Sequence, residues 1–143
     1  MPKFIRKNIH LKDFEYKSGY LYFITMCCAN KEEHFLNSGI AKIIEEELER
    51  RKTLNEISLY CYCLMPDHLH ILMTLTEFYD KTLQNWVSSF KRFTSREIKE
   101  KFRVDRLWHK NFYEHIVGED ESMKNIAEYI LHNPVRKNLV KEW

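Results

Sequence analysis

Two histidines separated by one residue, His68 and His70, are the side chains whose type and spacing point most directly to chemistry. They follow Pro66-Asp67 and lie in an apolar stretch that predicts a β-strand. Because a strand alternates its side chains, both imidazoles are expected on one side of the sheet. Two imidazoles placed together can hold one metal ion, whereas a single strand histidine is usually structural. The pair therefore predicts a metal site, with two structural histidines as the alternative.

Tyr129 is the second candidate, because it lies off the apolar face of the predicted last helix. At about 100° per residue it falls roughly 120° from the centre of that face. Asn133, four residues later, stacks over the same flank, so a hydroxyl and an amide oxygen would project together from the helix end. The alternative is an exposed tyrosine and an asparagine that ends the helix before Pro134. The apolar face consists of Met123, Ile126, Ala127 and Ile130.

These groups together suit attack on a phosphodiester, which needs a positioned nucleophile and neutralised phosphate charge. A tyrosine hydroxyl has a pKa of about 10 and needs nearby positive charge to act as the nucleophile. Two imidazoles and an amide oxygen leave coordination positions open for water and phosphate oxygens. That set suits Mg²⁺ or Mn²⁺, and Mn²⁺ is the better match to imidazole. We therefore predict a divalent metal ion acting as Lewis acid, with Tyr129 as nucleophile.

The cysteines offer a rival metal site. In a reducing cytosol, cysteines in apolar, strand-like surroundings are expected to be buried free thiols. If the hairpin that contains the histidines closes tightly, Cys61 and Cys63 would lie across from them, and a structural zinc site becomes the alternative. Proline fits poorly at the first central position of a two-residue turn that requires positive φ, so Pro66 leaves the register open. The four cysteines are Cys27, Cys28, Cys61 and Cys63.

The composition limits the class of protein. The chain has 143 residues, of which 44% are hydrophobic and 31% charged, and this fits one globular domain over 1–143. Residues 1–18 are predicted to be a basic lead-in segment at the start of this domain. No apolar run is long enough to span a bilayer, and the first residues lack the apolar stretch of a signal peptide. We therefore expect an intracellular, cytoplasmic protein with no membrane partner.

Positive charge is concentrated in one segment. The net charge is only +2, but Lys81 to Arg106 contains 8 basic and 3 acidic residues, a local net charge of +5. A basic stripe fits a phosphate backbone, although an ordinary solvated helix face is the alternative. Three aromatic residues further along the chain could stack on unpaired bases or pack in the core. His115 is expected to have a structural role or to contact DNA. The candidate DNA contacts are Lys91, Arg92, Arg96, Lys99, Trp108 and Arg136, and the three aromatic residues are Trp108, Phe112 and Tyr113.

Alternation and helical spacing of apolar residues predict an α+β fold. The first helix is indicated by an apolar stripe that begins at Leu36 and ends at Leu48. The order β-α-β-β-α-β-α predicts a ferredoxin-like layout, with helices packed on an antiparallel sheet. The predicted strands are 20–28, 57–65, 68–75 and 107–117, and the predicted helices are 37–53, 80–102 and 120–133.

Four motifs, in order, resemble a known family. The segment His68-Leu69-His70 after Met-Pro-Asp resembles the His-hydrophobic-His motif of the HUH single-strand nucleases and transposases. Three further segments resemble the REP-associated tyrosine transposases, and the resemblance extends over about 20–140. These segments are Ser89-Phe90-Lys91-Arg92, Leu107-Trp108-x-x-x-Phe112-Tyr113-Glu114-His115 and Tyr129-Ile130-x-x-Asn133-Pro134-Val135-Arg136.

The resemblance implies a ferredoxin-like core and a DNA transposase of the bacterial nucleoid. Such an enzyme cleaves and rejoins single-stranded, hairpin-forming DNA through a covalent 5′-phosphotyrosine and frees a 3′-hydroxyl. The implied nucleophile is Tyr129, and the implied metal ligands are His68 and His70. Asn133 would be the third ligand, where related insertion-sequence transposases carry glutamine. Both a homodimer and a monomer are compatible with the resemblance.

Two other functions stay open from the sequence. The first is a catalytically silent regulator that binds hairpin DNA. The second is a zinc-stabilised interaction domain that uses Cys61, Cys63, His68 and His70.

Overall fold

The computed structural model describes residues 19–117. The predicted lead-in segment and the predicted last helix lie outside the described residues. Tyr129, Asn133 and Arg136 therefore lie outside them as well, and their predicted roles stay predictions.

The described part confirms the predicted α+β fold and the order of its elements. Its four strands form one antiparallel sheet in the order β2-β3-β1-β4. Two short 3₁₀ turns, Ala29–Lys31 and His34–Leu36, join the first strand to the first helix. No helix among the described residues is long and apolar enough to cross a membrane. The elements are β1 (Leu21–Cys28), α1 (Ser38–Thr53), β2 (Ile57–Met65), β3 (His68–Leu75), α2 (Leu83–Phe102) and β4 (Trp108–Ile116).

The main core lies between both helices and one face of the sheet. Alternate residues of the central strands β1 and β3 point to this face, as period-two patterning requires. Both helices bury the apolar stripes that helical spacing indicated. The strand residues are Tyr22, Ile24, Met26, Leu69, Ile71 and Met73, and the helix residues are Ile40, Ile44, Leu48, Leu83, Trp86, Val87, Phe90 and Ile98.

Side-chain caps explain where the helices begin. The Oδ1 atom of Asn37 accepts hydrogen bonds from the backbone N–H groups of Gly39 and Ile40, so α1 begins at Ser38. Leu36 therefore lies in the preceding 3₁₀ turn and is exposed, and its predicted place in the helical stripe is wrong. Likewise the hydroxyl of Thr82 caps α2, which begins three residues later than predicted.

The two helices approach closely at one end. A Cβ atom placed on Gly39 would lie 2.5 Å from Cζ of Phe102, so only glycine fits without a shift of that ring. At the other end a buried polar network joins the helices. The Glu47 carboxylate accepts from Arg51 Nε at 2.5 Å, and Arg51 also donates to Ser89 Oγ at 2.9 Å. This network holds the two helices together.

The opposite face of the sheet is also buried and carries a second cluster, formed by Phe23, Cys63, Met65 and Leu72. The helices that the structure describes contribute no residue to this cluster. Residues 68 and 70 share the period-two phase of Leu72, so both histidines project from this face.

Candidate active site

A tight hairpin positions the two histidines. Met65 at the end of β2 pairs with His68 at the start of β3, leaving only Pro66 and Asp67 between them. Neither turn residue has positive φ, so the predicted conflict between proline and a tight turn does not arise. Two backbone hydrogen bonds hold the turn. Cys28 N, at the end of β1, donates to the Asp67 carbonyl at 2.8 Å, and Phe35 N, in the β1–α1 connection, donates to the Pro66 carbonyl at 3.0 Å.

The two imidazoles approach each other through their Nε2 atoms. The Nε2 atoms of His68 and His70 are 3.2 Å apart, and the ring planes are inclined at 74°. Only 7% of His68 and 1% of His70 is exposed. The structure thus brings the two predicted ligands together in a largely enclosed position on one face of the sheet.

Each imidazole is held through its other nitrogen. Nδ1 of His68 lies 2.6 Å from Asp67 Oδ1, and Nδ1 of His70 lies 2.9 Å from Thr25 Oγ1. Thr25 is directly opposite His70 in the central strand β1. Metal-binding histidines have this arrangement, because a partner on one nitrogen fixes the tautomer and orientation of the ring.

The geometry of the pair fits one shared metal ion. Imidazole nitrogens lie about 2.1 Å from a bound ion, and two nitrogens 3.2 Å apart then subtend about 100° at it. Such an angle suits tetrahedral or octahedral coordination. Residues 19–117 contain no group of three or more His, Cys, Asp or Glu side chains that could hold a metal. Further ligands would come from substrate, water or residues outside this range, where Asn133 lies.

The alternative zinc site does not form among the described residues. Cys63 lies opposite His70, as a tight hairpin requires, and Cys61 lies opposite Leu72. However, the Cys63 thiol contacts the Met65 sulfur at 3.8 Å, and burial raises the pKa of Cys63 to about 11. Burial also raises the pKa of Cys61. These thiols lie in the apolar second cluster, where a thiolate is costly, and the predicted Cys-and-His zinc site has no support there.

Trp108 takes the core-packing alternative and not the base-stacking one, because the indole is buried in the main core. Its Nε1 donates to Thr94 Oγ1 at 2.9 Å, and its ring packs against Phe35 at 5.5 Å between centroids. Phe112 packs partly buried against the same core. Among the three aromatic candidates only Tyr113 is exposed, at 47%.

β4 contributes two side chains to the face that carries the histidines. Tyr113 lies opposite Thr25, and His115 lies opposite Phe23. His115 is buried. Tyr113 is therefore an exposed tyrosine on the same face as the histidine pair, one strand beyond Thr25.

Lys91 has a structural role that its position in a basic segment did not reveal. Its ammonium donates to the backbone carbonyls of His109 at 2.8 Å and Asn111 at 3.1 Å, and so ties α2 to β4. Burial lowers the pKa of Lys91 to about 8. Because this amine is hydrogen-bonded to backbone carbonyls within the protein, Lys91 is assigned a structural role and not a phosphate contact.

The other basic candidates on α2 form a ridge on its outer side. Arg92, Arg96 and Lys99 are exposed and fall within an arc of about 60° at 100° per residue. Arg103, which the sequence reasoning missed, continues this basic ridge just beyond the helix end. The Arg96 guanidinium lies 5.8 Å from the centroid of the Phe93 ring. The basic ridge is on the helical layer, so the structure does not bring it together with the histidine pair.

Thr25 and Asp67 are the two site residues that sequence reasoning did not identify. Asp67 directly precedes His68. Its role could have been predicted from the sequence, because a carboxylate beside a candidate metal ligand is a typical hydrogen-bond partner for the imidazole. Thr25 is 45 positions from His70, and only the register of β1 against β3 reveals the contact.

Comparisons with known proteins agree with this fold. The family model described as IS200-like transposase matches residues 16–133. A protein of Haemophilus influenzae described only as uncharacterized is 26% identical, over 91% of this chain and 88% of its own length. The REP-associated tyrosine transposase of Escherichia coli K12 is 24% identical, over 89% of this chain and 73% of its own length.

A solved structure shares the fold. The structure of a REP-associated tyrosine transposase bound to a REP hairpin superposes with a TM-score of 0.69 at 21% identity, covering 90% of this chain and 74% of that one. The family model covers most of the chain, and the resemblance found in the sequence motifs is confirmed. This chain belongs to the IS200-like transposase family of enzymes.

Proposed function

We propose that this protein cleaves and rejoins single-stranded DNA through a covalent link to Tyr129, assisted by a divalent metal ion that His68 and His70 hold. The observation that carries the proposal is the convergence of the two Nε2 atoms at 3.2 Å. The opposite nitrogen of each ring has its own hydrogen-bond partner. Two structural histidines would not need to direct the same ring atom at one point.

The histidine pair would hold and orient the ion. An ionised carboxylate only accepts hydrogen bonds, so Asp67 requires a proton on Nδ1 of His68. Nε2 of His68 would then be the ring nitrogen that holds the ion. When bound, Mg²⁺ or Mn²⁺ would supply Lewis-acid stabilisation of the phosphate charge. Asn133 is the proposed third ligand, and its amide oxygen is of the type that both ions accept.

Tyr129 would supply the nucleophile. Its phenolic oxygen would bond to phosphorus, the bond from phosphorus to the 3′-oxygen would break, and that oxygen would leave as a 3′-hydroxyl. The phenolic proton is lost in the same step. The resulting 5′-phosphotyrosine keeps a phosphodiester bond, so a second 3′-hydroxyl can reverse the attack and rejoin DNA without another source of energy. The roles proposed for Tyr129 and Asn133 rest on the sequence motif that contains them.

The proposed partner is a hairpin-forming single strand of DNA. The relative that shares this fold is bound to a REP hairpin, which supports this choice of partner. Arg92, Arg96 and Lys99 are the proposed backbone contacts, because they are exposed and lie on one side of α2. Arg136 is a further proposed contact from the sequence motif.

The test is formation of a covalent protein–DNA adduct, read on a denaturing gel. The substrate is labelled single-stranded hairpin DNA from the sequence that flanks the gene, incubated with Mn²⁺ or with chelator. We expect a band that requires Mn²⁺ and disappears in Tyr129→Phe, while a native-gel shift persists. Tyr113→Phe is the matched control, since Tyr113 is an exposed tyrosine on the histidine face, and it should keep the band. An adduct that survives in Tyr129→Phe would overturn the role of this tyrosine. A native shift without any adduct would favour the silent regulator.

A further inference from the structure

We propose that a cleft on the histidine face of the sheet binds one unpaired base of the DNA strand, with Tyr60 and Phe78 as its stacking surfaces. The cleft lies at the end of β2 and β3 that is remote from the hairpin turn. The inference rests on the proposed function only in taking single-stranded DNA as the partner. It assigns a role to residues that lie outside all four sequence motifs. This aromatic cleft has a volume of about 510 Å³, and its lining includes Ser58, Tyr60, Thr74, Thr76, Glu77 and Phe78.

Two exposed aromatic side chains distinguish this cleft. Phe78 is 73% exposed and Tyr60 is 50% exposed. Single apolar side chains are common on protein surfaces, whereas two large ones that line the same cleft form a continuous apolar surface of the kind that binds ligands. Every base has a flat face that stacks on an aromatic ring, whatever the sequence. An unpaired base is therefore a ligand that these two rings suit.

Hydrogen bonds hold the turn that presents Phe78. Its backbone N–H donates to Thr76 Oγ1 at 3.3 Å, and the N–H of Tyr79 donates to the Thr76 carbonyl at 3.1 Å. The Thr76 hydroxyl donates to the carbonyl of Asn55, just beyond the end of α1. The turn that carries the exposed ring is therefore fixed before any ligand binds, and such preorganisation lowers the cost of binding.

A β-bulge directs Tyr60. The register of β2 shifts between Leu59 and Cys61, whose partners in β3 are consecutive residues, so Tyr60 is an extra residue in the strand. A bulge re-aims a side chain away from the regular alternation of the strand. The bulge therefore allows Tyr60 to line the cleft while the residues on either side of it keep their pairing with β3.

The cleft shares a face with the histidine pair. Thr74 is four residues from His70 on β3 and has the same period-two phase, so it projects from the same face, about 13 Å along the strand. Ser58 lies directly opposite Thr74 in β2. A few nucleotides of extended DNA cover such a distance. A strand with one phosphate at the histidine pair can therefore place a nearby base in the cleft.

The polar lining favours a base over a phosphate. The hydroxyls of Ser58 and Thr74 can each donate and accept, as the edges of bases require. Glu77 is exposed, and its carboxylate would repel a phosphate group. The same carboxylate can accept a hydrogen bond from the amino group of a base. The cleft thus differs from the basic ridge, which is suited to the DNA backbone.

The first readout is the affinity for labelled hairpin DNA with its single-stranded flanks, measured in chelator at several salt concentrations. The DNA comes from the sequence that flanks the gene. The double variant Tyr60→Ala, Phe78→Ala should bind about 5- to 150-fold more weakly, because base stacks are lost. The slope of log K against log salt should not change, since no phosphate contact is lost. Unchanged affinity, or a reduced salt slope, would overturn the inference.

Leu36→Ala is the matched control for the loss of exposed apolar surface. Leu36 is 66% exposed, lies in the connection between β1 and α1, and does not line the cleft. Its affinity for the same DNA should equal that of the unaltered protein. Thermal unfolding confirms that each variant is folded, which is expected because all three replaced side chains are exposed. A loss in Leu36→Ala equal to that of the double variant would overturn the inference.

The second readout locates the bound base. Abasic sites are placed one at a time in the single-stranded flanks of the hairpin. We expect one position at which the abasic site weakens binding to the unaltered protein but has little further effect on Phe78→Ala, because ring and base are partners in one contact. Losses that simply add at every position would overturn the inference.

The outcomes separate this inference from the proposed function. Both readouts need no cleavage, so coupling between Phe78 and one base would support the inference even if Tyr129 forms no adduct. Normal DNA affinity and a normal adduct in the double variant would overturn the inference and leave the proposed function intact. A dimer in sedimentation that the double variant abolishes, with DNA affinity unchanged, would also overturn it and assign the cleft to contact between two copies of the chain. If the unaltered protein binds no hairpin DNA, both proposals fail.

Discussion

His70 and Arg96 lie on opposite sides of the central sheet. His70 projects from the face that carries the histidine pair, whereas Arg96 projects from the outer side of α2, which packs on the other face. DNA that contacts both must pass around an edge of the sheet. Metal binding and DNA-backbone binding are therefore expected to be separable by mutation.

Removing the basic ridge should weaken DNA binding alone. In the combined variant Arg92→Ala, Arg96→Ala, Lys99→Ala, the affinity for hairpin DNA should fall. The salt dependence should fall too, by about 0.7 in the slope of log K against log salt for each lost contact to a single strand. The Mn²⁺ affinity should stay unchanged. Lys101→Ala is the control, because Lys101 pairs with Glu97 and lies outside the ridge. An unchanged salt slope in the triple variant would remove the ridge from the DNA-binding surface.

The partner of His68 should matter for its hydrogen-bond acceptor rather than for its charge. Asp67→Ala removes the acceptor of Nδ1, and we expect the Mn²⁺ affinity to fall by about 10- to 100-fold. Asp67→Asn keeps an amide oxygen that accepts the same hydrogen bond, so it should retain more affinity than Asp67→Ala. Titration calorimetry on the three proteins measures the difference. Equal loss in both variants would mean that the negative charge, not the orientation of His68, is what counts.

The buried Glu47 should make the free energy of unfolding depend on pH in the acid range. Burial alone would raise the pKa of Glu47, but hydrogen bonds from Arg50 and Arg51 lower it below its ordinary value of 4.5. A lowered folded-state pKa contributes stability that is present above pH 4.5 and is lost as the pH falls through the folded pKa. Urea unfolding between pH 7 and pH 3 should show this loss. In Glu47→Gln the loss over this range should be smaller than in the unaltered protein.

At neutral pH the same substitution should be costly. Glu47 and Arg51 are 2% and 4% exposed, and Glu47→Gln would remove the more buried of the two carboxylates that pair with the Arg51 guanidinium, leaving Glu56 at 3.2 Å. We expect a loss of about 2 kcal/mol in the free energy of unfolding. The exposed Glu46 on the same helix provides the control, and Glu46→Gln should change this free energy by less than about 0.5 kcal/mol. Similar losses in the two variants would contradict a buried ion pair.

Trp108 should affect folding and not base recognition. Trp108→Phe removes the hydrogen bond to Thr94 and part of the packing against Phe35, and should cost about 1–3 kcal/mol of unfolding free energy. The affinity of the folded variant for hairpin DNA should not change. Tyr113→Ala, at an exposed position of the same strand, should have little effect on stability. Weakened DNA binding by a fully folded Trp108→Phe would contradict its assignment to the core.

The strands of the hairpin could be predicted to the residue, because local signals fix them. β2 and β3 have the predicted bounds, since Pro66-Asp67 interrupts an otherwise continuous β-forming stretch. The shared face of His68 and His70 follows directly from strand alternation. The start of α2 was predicted three residues too early, because the capping side chain of Thr82 decides the first helical residue.

Long-range contacts could not be predicted from the sequence. Nothing local distinguishes Lys91, which binds β4 carbonyls, from Arg92, which is exposed. Similarly, the role of Thr25 depends on a register between two strands that α1 and β2 separate in sequence. Such roles depend on tertiary packing, which overrides the properties of a residue in its own segment.

The position of Mn²⁺ in crystals of the protein, from its anomalous diffraction, tests the proposed metal site most directly. We expect one peak within about 2.2 Å of Nε2 of both His68 and His70, with Nδ1 of each ring still on Asp67 and Thr25. The peak should be absent in His70→Ala. An ion bound elsewhere, or a histidine pair that stays empty at saturating Mn²⁺, would contradict the proposed metal site.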